Sequence, residues 1–458
     1  MLLFLILLLI GLFIVCYYIF NKELCSPSVL FVAPFILMCI IALFNQKTWS
    51  FELEINTFFV VLFGNVFFCI GTLCGNRIKL TRCGKNCNIS SSRIVKNWKL
   101  IVLVLFQIAC YAIKIRYIMN FAISHGIAND ISSCLVYYNN IQKFTTEETI
   151  TFPSWISIGL DMCAVFGYLC AAMLAQQIVL KRKERKNIIL ILINYIIAVI
   201  GGMTSGGRGG SVQILLALLC AFIILYQRKN FWKKQVSLKY IAMIAFGLLF
   251  IIAIFMASTT WVGRTAFQNA GRYLSNYIGA QIYNLDYFLN SAFSRSEIWG
   301  QETFYPIIQK IAGWLGITQW ANYHVGYENV YAAGYNTGNV YTAFYSYVKD
   351  FGVIGVVIMP FIFGLISQIV YRYARKSSTE YAINFSLVLY LIFSYIIAFS
   401  FFADKFGGML FTFNTIKRIM LLFLIEIFLY KTDFKMSKII IYTNKSRTVK
   451  VENHFNQK

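Results

Sequence analysis

Runs of about twenty apolar residues recur from the first residues of the chain to its last quarter, and that single feature leaves few folds open. A run of that length spans a bilayer, and in lipid it must be helical, because unpaired backbone groups are not tolerated there. Spans are expected near 2–20, 27–45, 55–74, 98–118, 154–180, 187–203, 211–227, 238–257, 352–371, 382–401 and 415–430. The expected fold is therefore an all-α polytopic membrane protein with about eleven transmembrane helices, ten to twelve allowing for boundary error. Composition agrees: 59% of residues are hydrophobic and only 13% charged. Soluble domains carry roughly 25% charged residues, so an ordinary cytosolic enzyme, a disordered chain and a small disulfide scaffold are all excluded. The opening run lacks a positive n-region and a small-residue cleavage site, and reads as a first span rather than a signal peptide.

The 41 Lys and Arg outnumber the 18 Asp and Glu, giving +23. In a soluble chain this would suggest nucleic acid; here the excess records orientation, because cytoplasmic loops collect Lys and Arg. Residues 75–97 carry Arg77, Lys79, Arg82, Lys85, Arg93 and Lys96, and 181–186 reads KRKERK. Basic residues also crowd 228–239, 372–376 and the tail after Lys431. The alternate connections hold almost none: only Lys143 in 121–153, Arg208 in 204–210 and Lys405 in 402–414. The consistent solution places the C-terminus inside, the N-terminus outside and the charge-poor loops outside. Trp98, Trp155 and Trp261 sit at span ends, where indole rings favour the interface. No nucleic-acid partner is expected. Most of the twelve cysteines lie in apolar runs and act as small hydrophobes. Cys74, Cys83 and Cys87 share a basic segment without a histidine, so no metal site is expected there.

The expected organisation is one integral-membrane unit: eight spans in 1–257, an external segment in 258–351, three spans in 352–430 and a basic tail in 431–458. A connection of about ninety residues among short ones is functional or disordered, and its tryptophans and tyrosines argue for order. Phe267, Ala270, Leu274, Ile278, Ile282, Leu285 and Leu289 recur at helical spacing, with Arg264, Gln268, Arg272, Asn276 and Tyr283 mainly opposite. That pattern predicts an amphipathic helix resting on the outer membrane face.

Several residues there have chemistry to offer. In the outer turn from Gly201 to Gly210, glycines let the backbone approach a ligand while Arg208 presents a planar fork suited to phosphate. No Lys-Ser/Thr follows, so it is not a nucleotide P-loop; a tight turn with an interfacial arginine is the plainer use. Lys114 and Arg116 end the fourth span on the same side, and with Arg208, Arg264 and Arg272 would suit a pyrophosphate if they converge. Singly, each would snorkel to lipid headgroups. His324 can take a proton from a sugar hydroxyl near neutral pH, and Glu328 can orient it if the stretch is helical; an exposed loop histidine is the plainer use. Tyrosines and asparagines of 273–345, among them Tyr277, Tyr283, Tyr323, Tyr327, Asn329, Tyr331, Tyr335 and Asn336, suit sugar rings, although tyrosine also simply favours interfaces. Asp161 lies roughly 12 Å down the fifth span, with Arg208 or Arg116 as its expected partner and a structural salt bridge as its expected use. Glu426 can reach Lys431 and is assigned no catalytic role.

The stretch Gly338-Asn339-Val340-Tyr341-Thr342-Ala343-Phe344, followed by Asp350-Phe351-Gly352-Val353-Ile354-Gly355, resembles the Asn-x-x-Thr…Asp-Phe-Gly-x-x-Gly region of Wzy-type O-antigen and capsule repeat-unit polymerases. There too it closes a large external loop and opens a late span. Ser205-Gly206-Gly207-Arg208-Gly209 is similar to that family's Ser-Gly-x-Arg-Gly element, and span number, loop position and length agree. The resemblance implies a glycosyltransferase-C-like, metal-independent, inverting enzyme of the bacterial inner membrane, with its large loop periplasmic and no cofactor. It would move a glycan from undecaprenyl pyrophosphate onto a new lipid-linked repeat, with membrane lipids and a chain-length regulator as further partners. Carried over by position, Arg208, Asn339, Thr342, Asp350 and Gly352 match the motifs; His324 and Arg264 or Arg272 match in the variable loop interior. The paired Arg-rich motifs of some members are not clearly present. An O-antigen ligase would share layout and chemistry. A lipid-linked oligosaccharide flippase would favour midspan charges and inverted repeats; the sequence displays few such charges and no repeat.

Overall fold

The computed structural model describes residues 1–79, 95–144, 152–181, 184–204, 207–232, 270–323, 328–376 and 383–430, with 246–247, 252–253 and 325 as isolated pieces. Its helices are α1 (Leu2–Ile19), α2 (Pro27–Phe44), the single turn α3 (Gln46–Trp49), α4 (Ile55–Arg77), α5 (Asn97–Ser124) and α6 (Ile131–Phe144). There follow α7 (Ser154–Leu180), α8 (Arg185–Gly201), α9 (Gly209–Lys229), α10 (Ala270–Asn290), α11 (Tyr305–Leu315) and α12 (Thr318–Ala321). A two-stranded antiparallel hairpin, β1 (Val330–Ala332) and β2 (Tyr335–Gly338), precedes α13 (Phe344–Phe351), α14 (Val353–Arg375), α15 (Phe385–Ala398), a π-turn (Phe406–Leu410) and α16 (Phe413–Tyr430).

Seven of these, α1, α2, α4, α5, α7, α9 and α14, are long and apolar enough to cross a membrane. The chain is an all-α membrane protein with one small hairpin. Helices α8, α15 and α16 occupy three more expected spans but are shorter or more polar. The span expected at 238–257 lies almost wholly outside the described residues. Helix α7 runs through the middle, with every residue from 165 to 177 buried, whereas α1 turns Leu3, Phe4, Leu7, Ile14 and Val15 outward. The tightest pair is α4 with α14. A β-carbon on Gly71 would fall on the carbonyl of Phe361, and one on Gly364 on the carbonyl of Phe68. Small residues permit such backbone contact, which gives helices in lipid their dispersion energy.

Helix ends sort into two sets. At one end cations cap the C-termini of neighbouring helices, where carbonyls lack intrahelical partners. Lys99 Nζ donates to the carbonyls of Phe428 (2.7 Å) and Leu429 (2.9 Å), Lys229 Nζ to Val179, Arg372 to Gly75 and Ile78, and Arg228 to Ala374. Arg375 pairs with buried Glu23 at 2.8 Å, and Tyr371 donates to the same carboxylate. Among the described residues, several of the basic side chains that sequence assigns to one membrane face thus close helix termini at one end of the bundle.

The opposite end carries the segment from α10 to α13. Helix α10 forms as its periodicity predicts, and it packs between two layers of protein. Gly279 packs on Ile41 and Ala42 of α2, and the other side carries the hairpin. Asn284 Nδ2 donates to the carbonyls of Gly338 (3.3 Å) and Val340 (2.9 Å), Thr337 Oγ1 donates to Asn284 Oδ1 (2.8 Å), and Asn276 donates to Asn336. Polar residues on its buried face find backbone partners, so a second protein layer covers a side that reads as solvated.

Candidate functional site

Two connections meet at this end: the glycine-rich turn from α8 to α9, and the turn from α15 to α16. The glycines of the first serve two ends. Gly201 lies against the Tyr111 ring and Gly202 against the backbone of Ser211, so a side chain at either would be blocked. Among the described residues, nothing lies within 4 Å of a β-carbon on Gly207 and only the Tyr395 hydroxyl meets one on Gly209, so the backbone beside Arg208 is uncrowded by them. Ser205 and Gly206 lie outside the described residues. Arg208 stands at the N-cap of α9, 7% exposed, with its guanidinium 5.7 Å from the centre of the Tyr273 ring. An N-terminal helix dipole and a guanidinium at one point favour an anion.

Lys114 joins this turn. Its buried ammonium donates to Thr204 Oγ1 at 3.0 Å, and Thr204 donates to the Gly201 carbonyl. From Arg208 an aromatic chain leads to the second turn: Tyr273 to Tyr277 (4.6 Å), Tyr277 stacked on Phe402 (6.1 Å), and Lys405 Nζ 5.6 Å from the Phe402 ring. Lys114, Arg208 and Lys405 thus border one layer under α10.

Other expected members do not join it. Arg116 points away from Lys114, exposed, on a shallow groove with Asn120 and Asn129. Arg272 lies over the Tyr335 ring at 4.2 Å and belongs to the hairpin surface. Arg264 and His324 lie outside the described residues. Tyr323, Val325 and Glu328 are not helical, and the His324–Glu328 pairing lies outside the described residues. Asp161 is paired with neither Arg208 nor Arg116. It lies between Lys417 Nζ (2.5 Å) and Arg418 Nε (2.8 Å), because α16 and not the glycine turn packs against α7 at that depth.

The loop-end motif is an anchor. Asp350 is buried; Oδ1 accepts from Ser296 Oγ (2.6 Å) and the Glu302 amide (3.0 Å), and Oδ2 from the Thr303 amide (2.7 Å). Its oxygens hold the loop before α11 in place. Thr342 Oγ1 accepts from the Phe344 amide at the start of α13, and Gly352 has φ +67 against Arg295. Asn339 is half-buried after the hairpin. Tyr283 packs on Trp49 and Phe51 and donates to the Tyr331 carbonyl.

The residues that sequence reading missed surround α13. Buried Glu302 accepts on Oε1 from Lys349 (2.5 Å) and from Tyr323 (2.6 Å), while Oε2 has no hydrogen-bond partner among the described residues. Burial first, and then the Glu302 carboxylate, push the Tyr323 hydroxyl up. Asp404 Oδ1 accepts from Tyr347 and from the Gly407 amide, both at 3.0 Å. Burial pushes its carboxyl up to about 7. One signal was available: Asp404 and Lys405 are the only charged residues of an otherwise apolar turn. Glu302 carries no such mark.

Compared with protein-family models, with curated proteins and with solved structures, the chain matches none.

Proposed function

We propose that this chain polymerises undecaprenyl-pyrophosphate-linked oligosaccharide repeats by inverting glycosyl transfer on the outer face of the bacterial inner membrane, as its resemblance to Wzy-type polymerases implies. The observation that carries the reading is that the buried Lys114 ammonium donates to Thr204 in the same turn that carries Arg208, whose guanidinium lies by Tyr273 of α10. Negative charge develops on the departing lipid pyrophosphate, and preorganised cations lower that barrier. The acceptor hydroxyl attacks the anomeric carbon, the bond to the pyrophosphate oxygen breaks, and His324 takes the hydroxyl proton. Holding both substrates at the membrane surface converts a bimolecular step into a local one.

Deletion in the parent strain, followed by glycan gel analysis, tests this. Single repeats on the lipid core are expected, with the ladder restored by the intact gene and not by His324→Gln. A bare core after deletion would assign a ligase or an earlier step instead.

A further inference from the structure

The loop between α10 and the hairpin displays an apolar surface that no described part of the chain covers. Trp299 is 88% exposed, Trp314 64% and Leu315 69%, with Ile298, Ile311 and Ile317 also outward. Within α11 only Ala312 is buried. Lys310 is the only Lys, Arg, Asp or Glu between Thr303 and Tyr323. In water such a contiguous patch would be an aggregation hazard, since soluble surfaces rarely expose so much apolar area together.

Position says what covers it. Trp314 packs on Phe413, the first residue of α16, with ring centres 5.0 Å apart. Trp299 packs edge-on against Phe351 at 6.3 Å, beside exposed Val353 and Ile354 at the start of α14. Below these, Ile358 and Ile362 on α14 and Ile416, Met420, Phe423 and Leu424 on α16 continue the same outward apolar surface. The patch is therefore the upper rim of the flank that the spans present to lipid. On its inner side Phe304 packs on Phe411, beside the π-turn.

We propose that α11 and the Trp299 tip lie within the headgroup and upper acyl region of the adjacent bilayer leaflet, forming a lipid-immersed collar between the ends of α14 and α16. A short apolar helix with indole rings and a lone lysine suits that zone: indoles favour the interface, and the ammonium reaches lipid phosphates. The placement holds whatever reaction the chain carries out, since it rests on the membrane spans alone. It also moves the interfacial role that amphipathicity assigns to α10 onto a helix thirty-five residues further along.

The full-length protein, reconstituted in vesicles of phosphatidylcholine and phosphatidylglycerol, tests it through tryptophan fluorescence. Subtracting the emission of Trp314→Phe from that of the parent isolates residue 314 among the eight tryptophans; Trp299→Phe does the same for the second position. Both difference signals are expected to be quenched by dibrominated acyl chains and shielded from aqueous iodide. Quenching by iodide but not by bromolipid would overturn the proposal. So would shielding from both quenchers, which would mean that a second copy or another protein covers the surface.

Discussion

Asp404 Oδ2 and the carbonyl oxygen of Thr303 converge on the α-carbon of Gly407, where a single methyl group would collide with both. Oδ2 has no hydrogen-bond partner among the described residues. Burial raises the carboxyl from an ordinary 3.8 to about 7, against the opposing pull of the Gly407 amide, Tyr347 and Lys405. Tyr305 faces it from α11 and is itself pushed up, by burial first and then by Asp404. Burial therefore favours the neutral form of Asp404 beside the π-turn, where the Thr303 carbonyl of the external loop also crowds Gly407.

That arrangement fixes the sign of a pH effect. Between about 4 and 7 the folded protein holds a proton on Asp404 that the unfolded chain releases, so this contribution is fully present below 4 and is lost as pH rises to 7. Asp404→Asn keeps a donor and cannot ionise. It is expected to melt higher than the parent in detergent at pH 8, with the gap closing toward pH 4. Parallel melting curves across that range would rule out a neutral acid here.

Asp350 stands in the motif that sequence nominates for chemistry, yet its oxygens receive Ser296, Glu302 and Thr303. Truncation to alanine orphans two buried amides and a hydroxyl, each costing on the order of 1 kcal/mol or more. Asp350→Ala should therefore lower the melting temperature and lose activity in proportion. Asp350→Asn retains one accepting oxygen and should fall between. Loss of all activity in the Asn variant at an unchanged melting temperature would show a chemical role instead.

For Asp161, flanked by Lys417 and Arg418, the matching measurement is a double-mutant cycle between Asp161→Asn and Arg418→Gln. Its cationic partners are about one-third exposed, so screening limits the coupling to on the order of 1 kcal/mol. Additive effects on the melting temperature would mean that the pair does not stabilise the α7–α16 contact.

How much of this was legible differs by scale. Spans such as Ser154–Leu180 and Val353–Arg375 stand out because lipid demands long apolar runs, and the existence of α10 follows from its 3.6-residue period. What covers α10 was not legible: a stripe of Ile282 and Leu285 is the same whether it meets lipid or α2. The turn around Arg208 was found because glycine runs are conspicuous, and Lys114 because it ends a span on the same side. Their joining through Thr204, like the pairing of Asp161 with Arg418 across 257 residues, depends on which helices are neighbours. Hydropathy gives order along the chain and not adjacency, so Glu302, an acid among ordinary loop residues, had no sequence signal at all.

Arg208 offers the most direct test of the proposed reaction, because its setting predicts distinct outcomes for two substitutions. It stands at the N-cap of α9, at the positive end of the helix, and among the described residues nothing lies within 4 Å of a β-carbon on Gly207. If it stabilises charge on the departing pyrophosphate, Arg208→Ala should slow chain extension by roughly 10²-fold or more, the usual effect of removing one electrostatic donor. Arg208→Lys keeps the charge but loses the planar fork, and should recover only part of the rate. Thermal melting separates this from a packing role, since the guanidinium also lies over Tyr273. A functional Arg208 predicts polymer lost at a melting temperature within a few degrees of the parent. A full glycan ladder from the alanine variant would reduce Arg208 to a filler of the turn, and would leave Lys114 and Lys405 as the cations to examine.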